Sequence, residues 1–158
     1  MRTENEIGDQ AQRKLYEELI VQAIRKLPDS YVPYSKFHVG AALLAEDGTV
    51  IEGVNVENAS YPAGICAERT AIFAAVAGGR RRFRAIAVVG CHEDWLSGTA
   101  YQELQLPDYC PPCGICRQVM REFANPEEFE VILAKSPEVY KVYRLSELLF
   151  DSFGPENL

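Results

Sequence analysis

The sequence predicts a layered α/β fold with a mixed sheet. Helical segments alternate with short apolar runs of strand length, which is the pattern of helices packed on a sheet. Glu46-Asp47-Gly48 between two such runs is a hairpin turn signal and supplies antiparallel pairing. A later strand–helix–strand unit supplies parallel pairing.

The first helix is predicted over residues 9–27, with Leu15, Leu19, Ile20, Ala23, Ile24 and Leu27 as its apolar stripe. Pro28 and Asp29 end it. Residues 1–10 are polar and are expected to be disordered. An aromatic, Pro-containing loop, Tyr31 to Phe37, leads into two strands near 38–45 and 49–56. The loop 57–65 then delivers the chain to Cys66. Residues 66–77 form an Ala-rich helix stopped by Gly78-Gly79. Ala85-Ile86-Ala87-Val88-Val89 is wholly apolar, as a strand buried on both faces must be. Residues 91–112 form an extended connection holding Trp95, Tyr101 and Tyr109, expected to pack on the surface or at an interface. A helix over 113–124 follows. Strands at 129–134 and 139–144 bring the strand count to five. Ser146 can cap a short helix through Phe150.

With 158 residues, 47% hydrophobic and 25% charged, the chain suits one globular domain. A formal charge of −7 disfavours a surface that tracks phosphate backbones. The run Arg80-Arg81-Arg82 with Arg84 reads as a solvated turn after a helix. No apolar run is long enough to span a bilayer, and the first residues do not read as a signal peptide. Five cysteines without a secretory signal suggest reduced thiols or metal ligands, and a cytoplasmic location with nuclear access open.

The chemistry concentrates in Cys66-Ala67-Glu68 and, 47 positions on, in Pro112-Cys113-Gly114-Ile115-Cys116. Three thiolates can hold zinc and leave a fourth position for water, which is a catalytic rather than a structural pattern. Glu68, two residues from a ligand, is placed to move that water's protons. Cys113 and Cys116 share one helix face, and Cys66 opens another helix, so two helix N-termini converge on the metal. Zinc with three thiolates carries a net charge near −1. The helix ends and Arg69 are the candidates to offset it. A redox-active CxxC and a closed four-thiolate site completed by Cys110 are the rival readings. His92 and His38 are further possible donors, and Cys91 is less well placed.

The string Cys-Ala-Glu-Arg, followed at a distance by Pro-Cys-Gly-x-Cys-Arg-Gln, resembles the cytidine deaminase family. The resemblance extends to Tyr34-Ser35-Lys36-Phe37 with Val39-Gly40-Ala41-Ala42, to Asn55-Val56-Glu57-Asn58-Ala59 and to Ser152-Phe153-Gly154-Pro155. It implies a three-layer α/β/α domain with a mixed five-stranded sheet, spanning residues 1–158. It implies hydrolytic loss of ammonia from C4 of cytidine or deoxycytidine, with one zinc per chain, in pyrimidine salvage. Cys66, Cys113 and Cys116 would be the zinc ligands. Glu68 would pass protons from water to N3 and then to the departing amine. Asn55 and Glu57 would hold the ribose hydroxyls, Phe37 would pack on the pyrimidine, and the Ala67 backbone N–H would bind the ring carbonyl. The family's short members are usually homotetramers, in which Tyr61 and Phe153 would reach across an interface.

Two departures stand out. His38 occupies a position where related chains often have proline, and the 91–112 connection is longer than usual. The partner is expected to be a free nucleoside, because no Gly-rich phosphate cradle appears and Glu57 near the sugar disfavours phosphate. Rival functions are an aminohydrolase acting on a cytosine-bearing antibiotic or polynucleotide cytosine, and a zinc-stabilised scaffold.

Overall fold

The computed structural model describes residues 1–96 and 105–158. Strands β1 (Arg2–Thr3), β2 (Phe37–Ala45), β3 (Val50–Val54), β4 (Phe83–His92), β5 (Glu130–Ser136) and β6 (Val139–Arg144) form one sheet in the order β1-β6-β5-β4-β2-β3. Only β4 and β5 run parallel; every other pair is antiparallel. The sheet therefore has six strands rather than five. The extra strand comes from the N-terminal residues expected to be disordered: Arg2 pairs with Val142 and Thr3 with Lys141. Ile7 supplies the apolar anchor that the polar composition hid, since its side chain is buried with the core of α1 (Gln10–Lys26).

Helix α1 covers one face of the sheet. The Asp9 carboxylate accepts from the Ala11 N–H at 2.9 Å as N-cap, and Arg25 and Lys26 complement the negative C-terminal end. Tyr16, Leu19, Ile20, Ala23 and Ile24 pack on Ala42, Leu44, Ala85, Ala87 and Val89. Leu15, expected on this stripe, is only partly buried at its edge.

The opposite face carries α2 (Ala67–Ala77), α3 (Gly114–Phe123) and α4 (Leu145–Leu148), packed on Ala41, Leu43, Ile86, Val88, Val131 and Leu133. Successive strand residues thus feed alternate cores, and both are apolar because helices cover both faces. The three-layer α/β/α expectation stands. The apolar run at Ala85 is the middle of a strand twice its predicted length. Arg144, not Ser146, precedes α4 as N-cap, because Glu147 accepts from the Arg144 N–H at 2.8 Å. Arg80 pairs with Asp47 and Arg82 with Glu46, each at 2.9 Å, so the basic run is a solvated turn.

The 91–112 connection begins later than expected, since Cys91 and His92 belong to β4. Its far end is tied to the β5–β6 pair. The Leu106 N–H donates to the Lys135 carbonyl at 2.8 Å, and Lys135 and Lys141 place their ammonium groups over the Tyr109 ring at 5.0 and 4.3 Å. Tyr109 therefore packs on the surface of its own chain, while Trp95 stays half exposed. Tyr101 lies outside the described residues. Among the described residues, no helix is long and apolar enough to cross a membrane.

Helix α2 is positioned by close approach to β3. A Cβ on Gly53 would meet the Ala67 carbonyl oxygen, and would lie 2.6 Å from the Ala71 nitrogen. Both are backbone atoms that cannot move without shifting the helix. Gly53→Ala is expected to cost about 1–3 kcal/mol of stability. Urea unfolding should show the midpoint falling while the slope is unchanged.

Candidate metal centre and active site

Cys66 and Cys113 are the N-cap residues of α2 and α3, so each helix starts one residue after its cysteine. Both caps have extended backbone and neither thiol caps its helix, so the N–H groups of the two first turns stay free of a capping side chain. Cys116 lies two positions after Gly114, in the first turn of α3, and is buried. The Cys66 and Cys113 sulfurs are 3.9 Å apart, the Cys113 and Cys116 sulfurs 3.5 Å, and all three lie within 4.8 Å of one another. Zinc–sulfur bonds of about 2.3 Å at tetrahedral angles put neighbouring sulfurs about 3.8 Å apart. The three thiols therefore fit zinc. Among the described residues they are the only His, Cys, Asp or Glu group so arranged.

The surroundings favour negative charge on the Cys66 sulfur. The Cys66 thiol is lowered to about 5, first by its hydrogen bond with Cys116 and further by Arg69, while Cys116 is pushed up as the donor. The Arg69 Nη2 donates to the Cys66 sulfur at 3.5 Å. Its Nε is buried without an acceptor among the described residues. The guanidinium therefore sits beside the thiols with its one side-chain hydrogen bond among the described residues going to Cys66.

Glu68, at the second position of α2, is 3% exposed. Burial raises its pKa, and the charge of Cys66 adds to the shift while Arg69 opposes it. Cys66 and Glu68 both belong to the start of α2, the first as its N-cap and the second in its first turn. An N-cap side chain and one two residues later both reach the helix end.

Cys110 stays outside the sulfur cluster. Burial pushes its thiol up to about 12. The other candidate donors are engaged elsewhere. His38 Nδ1 lies 2.9 Å from the Leu27 carbonyl, His92 Nδ1 lies 3.0 Å from Asp94, and Cys91 packs in the α1 core. The four-thiolate reading is therefore set aside.

A cavity of about 620 Å³ opens onto the thiols. Cys66, Glu68, Arg69, Cys110 and Cys113 line it together with Asn55 and Glu57. The Asn55 amide is fixed by two backbone bonds, accepting from the Val39 N–H at 2.8 Å and donating to the Phe37 carbonyl at 2.9 Å. Glu57 accepts at one oxygen from the Tyr34 and Ser35 N–H groups, at 3.0 and 3.1 Å. Its pKa is lowered, first by a hydrogen bond with Ser35. Each side chain keeps hydrogen-bonding capacity toward the cavity: one amide hydrogen on Asn55 and one carboxylate oxygen on Glu57. Ala67 is the first residue of α2, so its N–H has no intrahelical acceptor.

Three expected site residues are exposed. Phe37 is 38% exposed and does not line the cavity wall. Tyr61 lines the mouth but is 80% exposed, and Phe153 is 59% exposed and away from the cavity of its own chain. The sequence reading missed the amide donors of Tyr34 and Ser35. Backbone groups leave no signal in residue identity.

Three thiols and a buried carboxylate at two helix ends, under a cavity with polar groups at its far side, define a zinc-dependent hydrolase. The chain belongs to the cytidine and deoxycytidylate deaminase zinc-binding family, whose pattern matches residues 13–131. It is 45% identical over 140 residues to a cytidine deaminase of Halalkalibacterium halodurans, covering 89% of this chain and 95% of that one. It is 40% identical over 129 residues to the Mycobacterium tuberculosis cytidine deaminase, covering 82% of each. Among solved structures, a cytidine deaminase from Burkholderia pseudomallei aligns with a TM-score of 0.72 at 43% identity, covering 86% of this chain and 97% of that one.

Cys113→Ser is expected to drop the zinc bound per chain from about one to a small fraction, because two thiolates make a weak site. Cys110→Ser should leave the content unchanged. Metal analysis of both purified variants checks this, and zinc loss in Cys110→Ser would restore the four-thiolate reading.

Proposed function

We propose that this chain hydrolyses cytidine and deoxycytidine to uridine and deoxyuridine, releasing ammonia, in pyrimidine salvage in the cytoplasm. The observation that carries this reading is the buried Glu68 beside the Cys66, Cys113 and Cys116 cluster, in one cavity with Asn55 and Glu57. In this reading the three cysteines hold zinc. When bound, zinc supplies the Lewis acidity that makes water a competent nucleophile near neutral pH.

The protein's own groups do the rest. Glu68 takes a proton from the attacking water and gives it to N3, so C4 accepts the oxygen without building charge on the ring. Glu68 then carries the second proton to the amine, which departs as ammonia. Burial suits this work, because it raises the pKa of Glu68 and so makes the carboxylate a better proton acceptor. The Ala67 N–H binds the ring carbonyl at the helix end. Asn55 and the free oxygen of Glu57 take the ribose hydroxyls, and the negative charge of Glu57 turns away a phosphorylated sugar. Phe37 closes on the pyrimidine from the mouth. Arg69 and the two helix N-termini offset the excess charge of the thiolates.

Glu68→Gln keeps the shape of the site and removes the proton carrier. The variant is expected to hold zinc as the wild type does and to lose about 10²–10⁴-fold or more in turnover. The absorbance fall as cytidine is consumed measures it. A zinc-replete wild-type protein that leaves cytidine unchanged would overturn the function, and an active Glu68→Gln would remove Glu68 from the mechanism.

The exposed Tyr61 and Phe153, with Phe73, Ile115 and Phe150 also exposed, support a homotetramer in which neighbouring chains cover the cavity mouth. Light scattering is expected to give a tetramer's mass, and Phe153→Ala to lower it at dilute protein. A monomeric wild type would overturn this arrangement.

A further inference from the structure

Arg121, on α3, is the only buried cation among the described residues. A guanidinium taken out of water has to be paired. Both of its partners come from the segment that follows α4. Its Nε donates to the Ser152 Oγ at 3.1 Å, and its Nη2 donates to the Glu156 carboxylate. Gly154 lies between them, where the guanidinium leaves no room for a side chain. A Cβ there would meet the Arg121 Cζ and Nη2 and would lie 2.6 Å from a Glu156 oxygen. Gln118, three residues before Arg121 and so on the same helix face, donates to the Phe153 carbonyl at 3.0 Å. Asp151, at the start of the segment, holds a left-handed φ of +48°. Such a backbone persists where its surroundings fix it. Phe153 thus stands on a backbone fastened to α3 on both sides, while its ring is exposed. An exposed aromatic ring on an ordered backbone is the form of a docking anchor, since little freedom is left to lose on association.

We propose that Arg121 seats residues 151–158 on α3 so that Phe153 is presented, already ordered, to a second copy of this chain. The inference rests on the interface reading of Phe153 above and names the residue that positions it. The second copy offers a matching surface, since Tyr34 and Tyr61 are exposed and line the mouth of its cavity. Arg121 itself does not line the cavity, so it is a positioning residue that acts through Phe153. Helix α3 begins after Cys113 and contains Cys116. The seat of the ring and two of the three thiols therefore belong to one ten-residue helix. In a closed symmetric assembly each copy both presents a ring and receives one, so a fault in this seat is repeated at every such interface.

Arg121→Met removes the paired charge. Gly154→Ala displaces the segment and leaves α3 untouched, so the question is answered even if Arg121→Met fails to fold. Both are compared with Phe153→Ala, and with Arg121→Met combined with Phe153→Ala. Zinc content, light scattering over a dilution series, and KM and kcat for cytidine are measured on each. Arg121→Met and Gly154→Ala are expected to keep zinc and to dissociate at about tenfold higher protein concentration than the wild type. Their KM should rise about tenfold, with kcat changed less. The combined variant should match Phe153→Ala within about twofold, because a residue that acts through the ring has nothing to act on once the ring is gone. A merely structural defect would add to the loss instead. Arg121→Lys, which returns one charged donor, should recover part of the assembly. Wild-type mass and KM in both Arg121→Met and Gly154→Ala, or losses that add to that of Phe153→Ala, overturn this inference alone. Wild-type mass and KM in Phe153→Ala overturn it together with the interface reading beneath it. The light-scattering measurement needs no turnover, so a failure of the deaminase reading is told apart from both.

Discussion

Three sulfurs within 4.8 Å of one another share their negative charge over a small volume, and that charge has to be met by positive potential from the protein. Two helix N-termini and one guanidinium stand beside these sulfurs. Each helix end contributes the equivalent of about half a positive charge, concentrated in its first turn. Such a source works only if both helices stop at the same point. The requirement reaches back into the sheet. Helix α2 lies flat enough on β3 to end there only because Gly53 has no side chain and Ala67 and Ala71 have small ones. Helix α3 is carried to the same point by the crossover that makes β4 and β5 parallel. The apolar cores on the two sheet faces thus serve an electrostatic arrangement at the strand ends.

The cavity combines two ways of fixing a polar group. Glu68 is isolated by burial, which leaves its proton easy to move. Glu57 is held by backbone amides, which keep it ionised and still. Two carboxylates in one cavity are thereby driven in opposite directions by environment alone.

Much of this was legible in the residues. The spacing of Cys66, Cys113 and Cys116 exposed the metal cluster because helix periodicity and helix starts convert spacing into direction. The hairpin at Asp47-Gly48 and the apolar β4 run were legible because turn chemistry and burial on both faces leave strong composition signals. Less visible were features set by long-range contact. Residues 1–10 look disordered by composition, yet Ile7 and the Arg2–Val142 pairing tie them down, and neither contact has a local signature. The Arg144 cap of α4 depends on Glu147 reaching back, where Ser146 was the better local candidate. The backbone donors to Glu57 and the seat of Ser152 and Glu156 on Arg121 depend on how separate segments meet, which pattern reading does not reach.

The two-residue length of β1 has a consequence for how the protein behaves in a crowded solution. A long bare β6 would present an open ladder of donors and acceptors to any passing strand. Arg2 and Thr3 pair with that ladder, and the chain then turns away into a 3₁₀ turn at Glu4–Glu6. The strand that covers β6 is too short to act as a template itself. Its arginine is ion-paired to Glu130 of β5, two strands inward. That margin of the sheet is blunted, and sheet-to-sheet growth between molecules is stopped there by two residues.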